Sequence, residues 1–403
     1  MEVESNMPEG WIETTLGETI YFVSDKINTE ELTIYNYIST ENLLSDNQGI
    51  VASSNLPTVS KVNSFKKEDV LFSNIRTYFK KVWFASKDGG SSNDVLIFRP
   101  VNEDSLNKHF LYRIISSDVF IDYTVKTAKG TKMPRGDKNA IKLFPINLPP
   151  LQEQKAIAKI LTSFDDKIEL LQEQNKTLET MAQTIFKEWF GKYQIGDELP
   201  DGWRVGKLDE VLSICGGTTP STKNPDFWGG KINWTSPKDL SNSKGLFLLN
   251  TEKKITKEGL NKISSGLLPK GTLLLSSRAP VGYLSITHIE LAINQGYIAL
   301  LPQQYLSNNY MYLWLDKYMQ VVKNAANGST FLEISKTAFR NIECVVPLQD
   351  VLEKFDQIIE PIFSKVLYNI TQTQSLTKTR DILLPKLMSG QVRVNNIKQL
   401  ASA

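Results

Sequence analysis

The feature that most constrains this chain is that it repeats itself. Pro8-Glu9-Gly10-Trp11 followed by Leu16 reappears as Pro200-Asp201-Gly202-Trp203 followed by Leu208, 192 residues on. Val70 to Arg76 reappears as Thr272 to Arg278 with an offset of 202, Gly130-Thr131 as Gly328-Ser329 with 198, and Pro150-Leu151-Gln152 as Pro347-Leu348-Gln349 with 197. Order is kept while the offset drifts, as in two diverged copies that have gained and lost loop residues. A period this long means two whole domains in tandem, so one plan must serve both halves.

Each copy opens with short β-type runs, such as Val95-Leu96-Ile97-Phe98, Leu273-Leu274-Leu275 and Tyr297-Ile298-Ala299-Leu300, separated by turn clusters. Some helix is interspersed, as at Asn308 to Lys323. A long segment of helical period then follows. After Pro149-Pro150, the run Leu151 to Phe190 holds neither Gly nor Pro. Its residues Ile157, Leu161, Phe164, Ile168, Leu171, Asn175, Leu178, Ala182, Ile185 and Trp189 alternate spacings of four and three, the seam of a coiled coil. Forty residues at about 1.5 Å each predict a rod of roughly 60 Å. The second copy repeats the seam through Phe355, Ile359, Ile362, Val366, Asn369, Thr373, Leu376, Arg380, Leu383 and Leu387, with Thr373 at the place of Asn175. Polar seam residues fix register and orientation at some cost in stability. Pro361 lies inside the second segment and predicts a kink or a later helix start.

The expected fold is therefore α+β: two related domains separated by two long antiparallel coiled-coil helices, a pseudo-two-fold tandem repeat. The second rod returns along the first and brings the C-terminal end back to the first domain. Two long core helices inside one larger domain are the plainer alternative.

Composition narrows the setting. The 403 residues exceed one ordinary core, and 41% hydrophobic with 22% charged residues is the balance of a globular protein. Net charge is only +2, so any nucleic-acid surface must be a local patch. Cys215 and Cys344 make no C-x-x-C, which suits a reducing cytoplasm. The acidic start Met1 to Ser5 shows no signal-peptide pattern, and no apolar run approaches membrane-spanning length.

Basic residues gather in irregular loops. Lys126, Lys129, Lys132, Arg135, Lys138 and Lys142 face a single acid, Asp137, in a stretch punctuated by Gly130, Pro134 and Gly136. Such a loop can follow a phosphate backbone, although many basic loops are only solvated surface. In the first copy Arg76, Lys80 and Lys81 flank Tyr78 and Phe79, and Ser276, Ser277 and Arg278 hold the corresponding place in the second. Arg reads guanine edges, while Ser, Thr and Asn adapt to bases and phosphates. Two diverged modules on a rigid spacer then predict a bipartite, non-palindromic site on duplex DNA.

Catalytic chemistry is sparse. His109 and His288 stand alone, with no Cys or carboxylate at ligand spacing. There is no G-x-G and no G-x-x-x-x-G-K-[ST]. Asn147-Leu148-Pro149-Pro150 differs from the N-P-P-aromatic motif of adenine methyltransferases by an extra Leu and reads as the lead-in to the helix. Pro225-Asp226 with Glu252-Lys253-Lys254 matches a nuclease pattern short enough to arise by chance in a Lys-rich chain.

These features together resemble the specificity subunits of type I restriction–modification systems, over essentially the whole chain. The strongest match is Gly216-Gly217-Thr218-Thr219-Pro220-Ser221, running through Trp228-Gly229-Gly230 to Trp234 and Lys238-Asp239-Leu240. It is similar to the family's G-G-T-P-S…W-G-G…W…K-D-L opening of a target-recognition domain, with one Thr inserted. Leu275 to Gly282 with Asn294-Gln295-Gly296, and Leu148 to Gln154 before the first long helix, extend the likeness. The first copy lacks the G-G-T-P-S block and has Thr77-Tyr78 where the family has Ala-Pro.

The resemblance implies target-recognition domains at 1–148 and 193–346, spacer helices at 149–192 and 347–392, and a tail at 393–403. It implies double-stranded DNA, two methyltransferase subunits and restriction subunits as partners. S-adenosylmethionine, ATP and Mg²⁺ are expected on those partners, with no cofactor, metal or catalytic residue on this chain. Candidate DNA contacts are Asn74, Arg76, Lys80, Lys81, Lys129, Lys132, Arg135 and Lys138 in the first copy. In the second they are Thr218, Thr219, Ser221, Lys223, Lys238, Ser277 and Arg278. The seam residues expected to hold the helices together are Leu161, Phe164, Ile168, Leu171, Asn175, Leu178, Ile359, Ile362, Val366, Thr373 and Leu376. Arg278 can either hold its loop or touch a base. Trp11, Trp203, Trp228 and Trp234 read as core or loop anchors, and the Gly pairs as tight turns. A stand-alone DNA-modifying enzyme and a coiled-coil adaptor are the competing readings.

Overall fold

The computed structural model describes residues 7–243, 245–278, 280–303, 305–328 and 332–394. The chain forms two compact units, Met1–Ile168 with Ser375–Ala403, and Glu169–Gln374. Ala279 and Ser329, from the matched segments, and most of the 393–403 tail lie outside the described residues.

In the first unit Val70–Ser73 is a wholly buried strand, because the apolar run Val70-Leu71-Phe72 puts hydrophobic side chains on both faces and so demands cover on both. It sits inside an antiparallel sheet ordered Ile20–Phe22, Val95–Pro100, Val70–Ser73, Val82–Phe84. A second sheet orders Lys26–Asn28, Lys61–Phe65, Gly89–Ser91, Tyr37–Ile38. The helices Lys108–Ile115 and Asp118–Lys126 follow, capped by Asn107 and Ser117, whose side chains accept from Phe110 N and Phe120 N. A two-stranded ribbon, Ile12–Thr15 with Pro145–Leu148, closes the unit.

The second unit repeats the order. Its buried strand Leu273–Ser276 lies between Tyr297–Leu300 and Leu284–Thr287, and Ile214–Cys215 and Phe247–Leu248 complete a five-stranded sheet. Lys253–Ile255, Trp228–Thr235 and Leu291–Ile293 form the smaller sheet, and Arg204–Lys207 with Glu343–Val346 the closing ribbon. The Asn308 to Lys323 segment is two helices, Asn308–Lys317 and Met319–Asn324, because Tyr318 leaves the helical region between them.

The hydrogen bonds correct two of the repeat offsets by one residue. Gly136 N donates to the Asn74 carbonyl as Ile334 N donates to that of Ser277, so Asn74 corresponds to Ser277 and Ile75 to Arg278, an offset of 203. Glu153 N and Gln154 N donate to Pro150 O as Val351 N and Leu352 N donate to Leu348 O, an offset of 198. Arg76 is therefore not the counterpart of Arg278. The letter match was drawn to Arg on Arg, whereas the ladder is set by backbone pairing.

The long helices run Leu151–Trp189 and Gln349–Met388, unbroken. The second neither starts late nor is interrupted at Pro361: this proline is solvent-facing, on the side of the helix away from the seam. Every seam residue named above is buried or half-buried, while Lys167, Glu169 and Lys176 are exposed. Within each unit the two helices are antiparallel neighbours. In the first, Glu153 meets Arg393 and Asp165 meets Arg380; in the second, Asn175 meets Val366 and Phe186 meets Phe355.

Each helix also buries a second stripe in the domain it serves. Beside the seam residues Ile157, Leu161 and Leu387, Ala158 joins the first unit's core, and beside Ala182 and Phe355 the residues Phe186, Phe190 and Phe363 join the second's. Phe190 lies edge-on to Tyr310 at 5.0 Å and to Phe355 at 4.9 Å, a geometry aromatic rings favour.

Ionic clamps complete the first unit. Trp11 Nε1 donates to Glu153, which also receives a two-pronged contact from Arg393 at 2.6 and 2.8 Å. The returning chain end is thus fastened to the first domain. The Asp165 carboxylate is held by buried Arg113 on one side and by Arg380 at 2.7 Å on the other, which explains an arginine in an otherwise apolar seam. Asp165→Ala would leave two guanidinium groups facing each other without their shared anion. It is expected to cost the first unit about 3 kcal/mol, read as faster amide exchange in the helix Lys108–Ile115 and a lower urea midpoint.

Candidate nucleic-acid interface

In the first unit the basic stretch is a tight hairpin. Lys129 and Arg135 exchange backbone hydrogen bonds at 2.8 and 2.9 Å, and Gly130 takes a left-handed φ of 93°. Thr131, Lys132 and Met133 project at its tip, all exposed. The hairpin is fastened to the turn after strand Val70–Ser73: Arg76 N donates to Pro134 O, and the Asn74 side-chain amide donates to Gly136 O at 3.1 Å. Asn74 is buried, so its role here is to hold the hairpin and not to face a ligand. Ser277, its counterpart, is buried too.

The basic groups are partly tethered. Lys129 pairs with Asp137 at 2.5 Å, and that hydrogen bond holds the Asp137 carboxyl below its ordinary range. Arg135 pairs with Asp94 at 3.0 Å. Lys138 lies 5.9 Å from the Phe22 ring. Lys80 pairs with Asp118, whose hydrogen bond raises the ammonium pKa, whereas Lys81 reaches the Thr40 carbonyl and burial pushes its pKa down. Arg76, Lys132 and the exposed heads of Lys129, Arg135 and Lys138 are thus brought onto one hairpin and turn, while Lys81 is drawn inward.

In the second unit Thr218 Oγ1 donates to Lys262 O and accepts from Ser264 N, and Thr219 Oγ1 donates to Gln295 at 2.5 Å. These hydroxyls fasten the G-G-T-T loop to its neighbours. Ser221 offers its carbonyl to Trp228 Nε1, leaving its hydroxyl on an exposed residue, and Lys223 is exposed beside it. Lys238 pairs with Glu252 at 2.9 Å. Arg278 is half-buried and its backbone bridges to Glu333. The four tryptophans are anchors: Trp11 and Trp234 are buried, Trp203 packs on Phe190 and Tyr193, and Trp228 stands edge-on to Trp234 at 5.0 Å. Only part of the glycine expectation holds. Gly229 makes a left-handed turn at φ 77°, but Gly217 is required because any Cβ would strike the Ile293 carbonyl.

The two hairpins share a frame and differ in charge. Asn327 and Glu333 exchange the same pair of backbone hydrogen bonds as Lys129 and Arg135, at equivalent positions. The framing pair is cationic in the first unit and neutral-to-acidic in the second, on the same backbone bonds. Sequence reasoning missed the partners that set this surface, Asp94 and the Asp46–Asn47 turn, because their sequence separation carries no periodic signal.

Two copies of one α+β scaffold, each presenting a differently charged set of loops, define a tandem recognition protein. The type I restriction modification DNA specificity domain profile matches residues 8–180 and again 200–379. The chain belongs to that family, as a DNA-specificity subunit with no catalytic role of its own. It is 24% identical to the specificity subunit of the type I restriction enzyme HindI of Haemophilus influenzae, over 95% of this chain and 99% of that one. It is 36% identical over 187 residues to the MjaIX specificity subunit of Methanocaldococcus jannaschii, covering 44% of this chain and 42% of the relative. The crystal structure of the type I S subunit from M. genitalium shares the fold, with a TM-score of 0.63 at 18% identity over 96% and 98% of the two chains.

Replacing Lys129, Lys132 and Arg135 together by Gln is expected to flatten the plot of log binding constant against log salt by about 2 to 3 units, near 0.9 for each phosphate no longer neutralised. Duplex titrations between low and moderate salt measure it; an unchanged slope places phosphate neutralisation elsewhere.

Proposed function

We propose that this subunit reads a split, asymmetric duplex target, one half with each unit, and docks two methyltransferase subunits on its long helices, to which restriction subunits join. S-adenosylmethionine, ATP and Mg²⁺ belong to those partners, and the complex works in the cytoplasm. The observation that carries this reading is the pair of equivalent hairpins: the same backbone bonds frame Lys129 and Arg135 in one unit and Asn327 and Glu333 in the other. A repeated scaffold with unlike contact groups suits two unlike half-sites, since base identity is read by side chains and not by the frame that carries them.

Methylation mapping with the assembled complex tests the proposal. Exchanging residues 203–343 for those of a relative is expected to change one half-site and leave the other unaltered; a change in both, or in neither, contradicts one half per unit. Removing one heptad from each long helix is expected to alter the gap between the halves and neither half itself. The purified chain alone, given DNA, Mg²⁺ and S-adenosylmethionine, is expected to show neither cleavage nor methyl transfer, and either activity would end the non-catalytic reading.

A further inference from the structure

Backbone strain in this protein is concentrated in one place. Among the described residues five non-glycine positions have positive φ, and four of them form a single clasp: Asp46 and Asn47, at 55° and 57°, and Arg76 and Lys80, both at 50°. Asp46 N donates to Phe79 O at 3.0 Å and Asn47 N to Lys80 O at 2.9 Å, so the Asp46–Asn47 turn holds the Phe79–Lys80 end of the clasp, while Arg76 N is held by Pro134 O. Between Arg76 and Lys80 lies one turn of 3₁₀ helix, Thr77–Phe79. Thr77 is buried beneath it, whereas Tyr78 and Phe79 are 49% and 40% exposed, their ring centroids 4.7 Å apart. Asp and Asn enter the left-handed region readily, but at Arg76 and Lys80 it persists only where the surroundings enforce it, and such positions cluster at functional sites. Here the enforced conformation does one visible thing: it displays two aromatic rings to solvent.

The rings stand beside cations. Arg76, at the foot of the turn, is exposed and is bonded through its backbone to the hairpin carrying Lys129, Lys132 and Arg135. Lys80 is paired with Asp118, and Asp46 lies against the turn, so the cationic side of the tip is that of exposed Arg76 and Lys132. An apolar tip beside them is complementary to stacked bases flanked by phosphate.

We propose that Tyr78 and Phe79 form an aromatic wedge that presses on, and partly unstacks, one base-pair step in the half-site read by the first unit. The inference rests on the DNA-reading function proposed above and names residues that deliver it. The second unit has no such wedge at the matching turn: Val281 there is buried, and Gly282 supplies the positive φ without strain. Distortion that depends on the wedge should therefore be confined to one half of the target.

The test uses the assembled complex and the duplex identified by methylation mapping, with 2-aminopurine placed at successive positions. Away from the bases that the methyltransferase subunits modify, which are flipped from the stack in their own right, the wild-type complex is expected to raise the fluorescence severalfold at one step, in one half-site only. Tyr78→Ser/Phe79→Ser is expected to abolish that signal and weaken target binding by about tenfold or more, the scale of a lost base–aromatic stack, while binding to a scrambled duplex stays the same. Tyr78→Phe should keep signal and affinity, because stacking does not need the hydroxyl. If the wild-type complex prefers no duplex, the DNA-reading function falls and takes the wedge with it. If it discriminates but the double serine variant binds and reports like wild type, the wedge alone is overturned. Equal loss on target and scrambled duplexes, failure to assemble with the methyltransferase, or loss of signal in Tyr78→Phe would each overturn it as well, by assigning the rings to packing, to a protein partner or to a hydroxyl contact.

Discussion

The structure depends on two long helices that must each bury two faces at once. One face is the seam, where Leu161, Ile168, Leu171, Ile359 and Val366 are shielded from water. The other enters a recognition domain, through Ala158 in the first unit and Phe186 and Phe190 in the second, while the seam residues Ile157, Leu161 and Ala182 serve both. Together these make an apolar arc wider than a strict coiled-coil seam, as expected of a helix that packs on a globular core. For that reason the compact units divide within the helices, at Ile168/Glu169 and Gln374/Ser375, and not at the helix ends. A recognition domain cut off before its helix would expose part of its own core.

Hydrophobic burial alone would tolerate a slide of one helix along the other, and the polar groups remove that freedom. Asn175 donates to the Val366 carbonyl and fully buried Asn369 to Gln174, each at 3.4 Å, and each leaves its own Oδ1 without a partner among the described residues. These are weak contacts in a setting where unsatisfied groups are unfavourable, so their value lies in orientation more than in stability. In the first unit the Arg113–Asp165–Arg380 and Trp11–Glu153–Arg393 clusters do the same with charge, and each ties a helix to its domain as well as to its neighbour. Gln154, buried beneath them, accepts from Asn107 N through its carbonyl oxygen and donates its amide to Ser105 O and Pro149 O, setting the start of helix Lys108–Ile115.

On this frame the loops are free to diverge. The hairpin bonds are backbone-to-backbone in both units, so Lys129 could become Asn327, and Arg135 Glu333, without disturbing the ladder. The buried side chains Asn74 and Ser277 stay small and polar because they sit where the hairpin joins the sheet. Specificity in such a design belongs to exposed side chains on a conserved skeleton, the usual division between scaffold and contact loop.

The sequence by itself determined the tandem plan, the two long helices, their seam and the family, because these are written in periodicities and repeated motifs that local physics reads directly. It placed two repeat offsets less well, since register is fixed by hydrogen bonds that letters do not carry, and it left open whether the helix began before Pro361, which the continuous Gln349–Met388 helix decides. The tertiary structure alone decided which candidate contact residues face outward. Asn74, Lys81 and Ser277 were drawn inward by partners 40 or more residues away or by the strand beneath them, and the clasp of Asp46–Asn47 on Arg76–Lys80 joins turns with no common pattern. Burial and strain are properties of neighbours in space, and a linear chain specifies those only once it has folded.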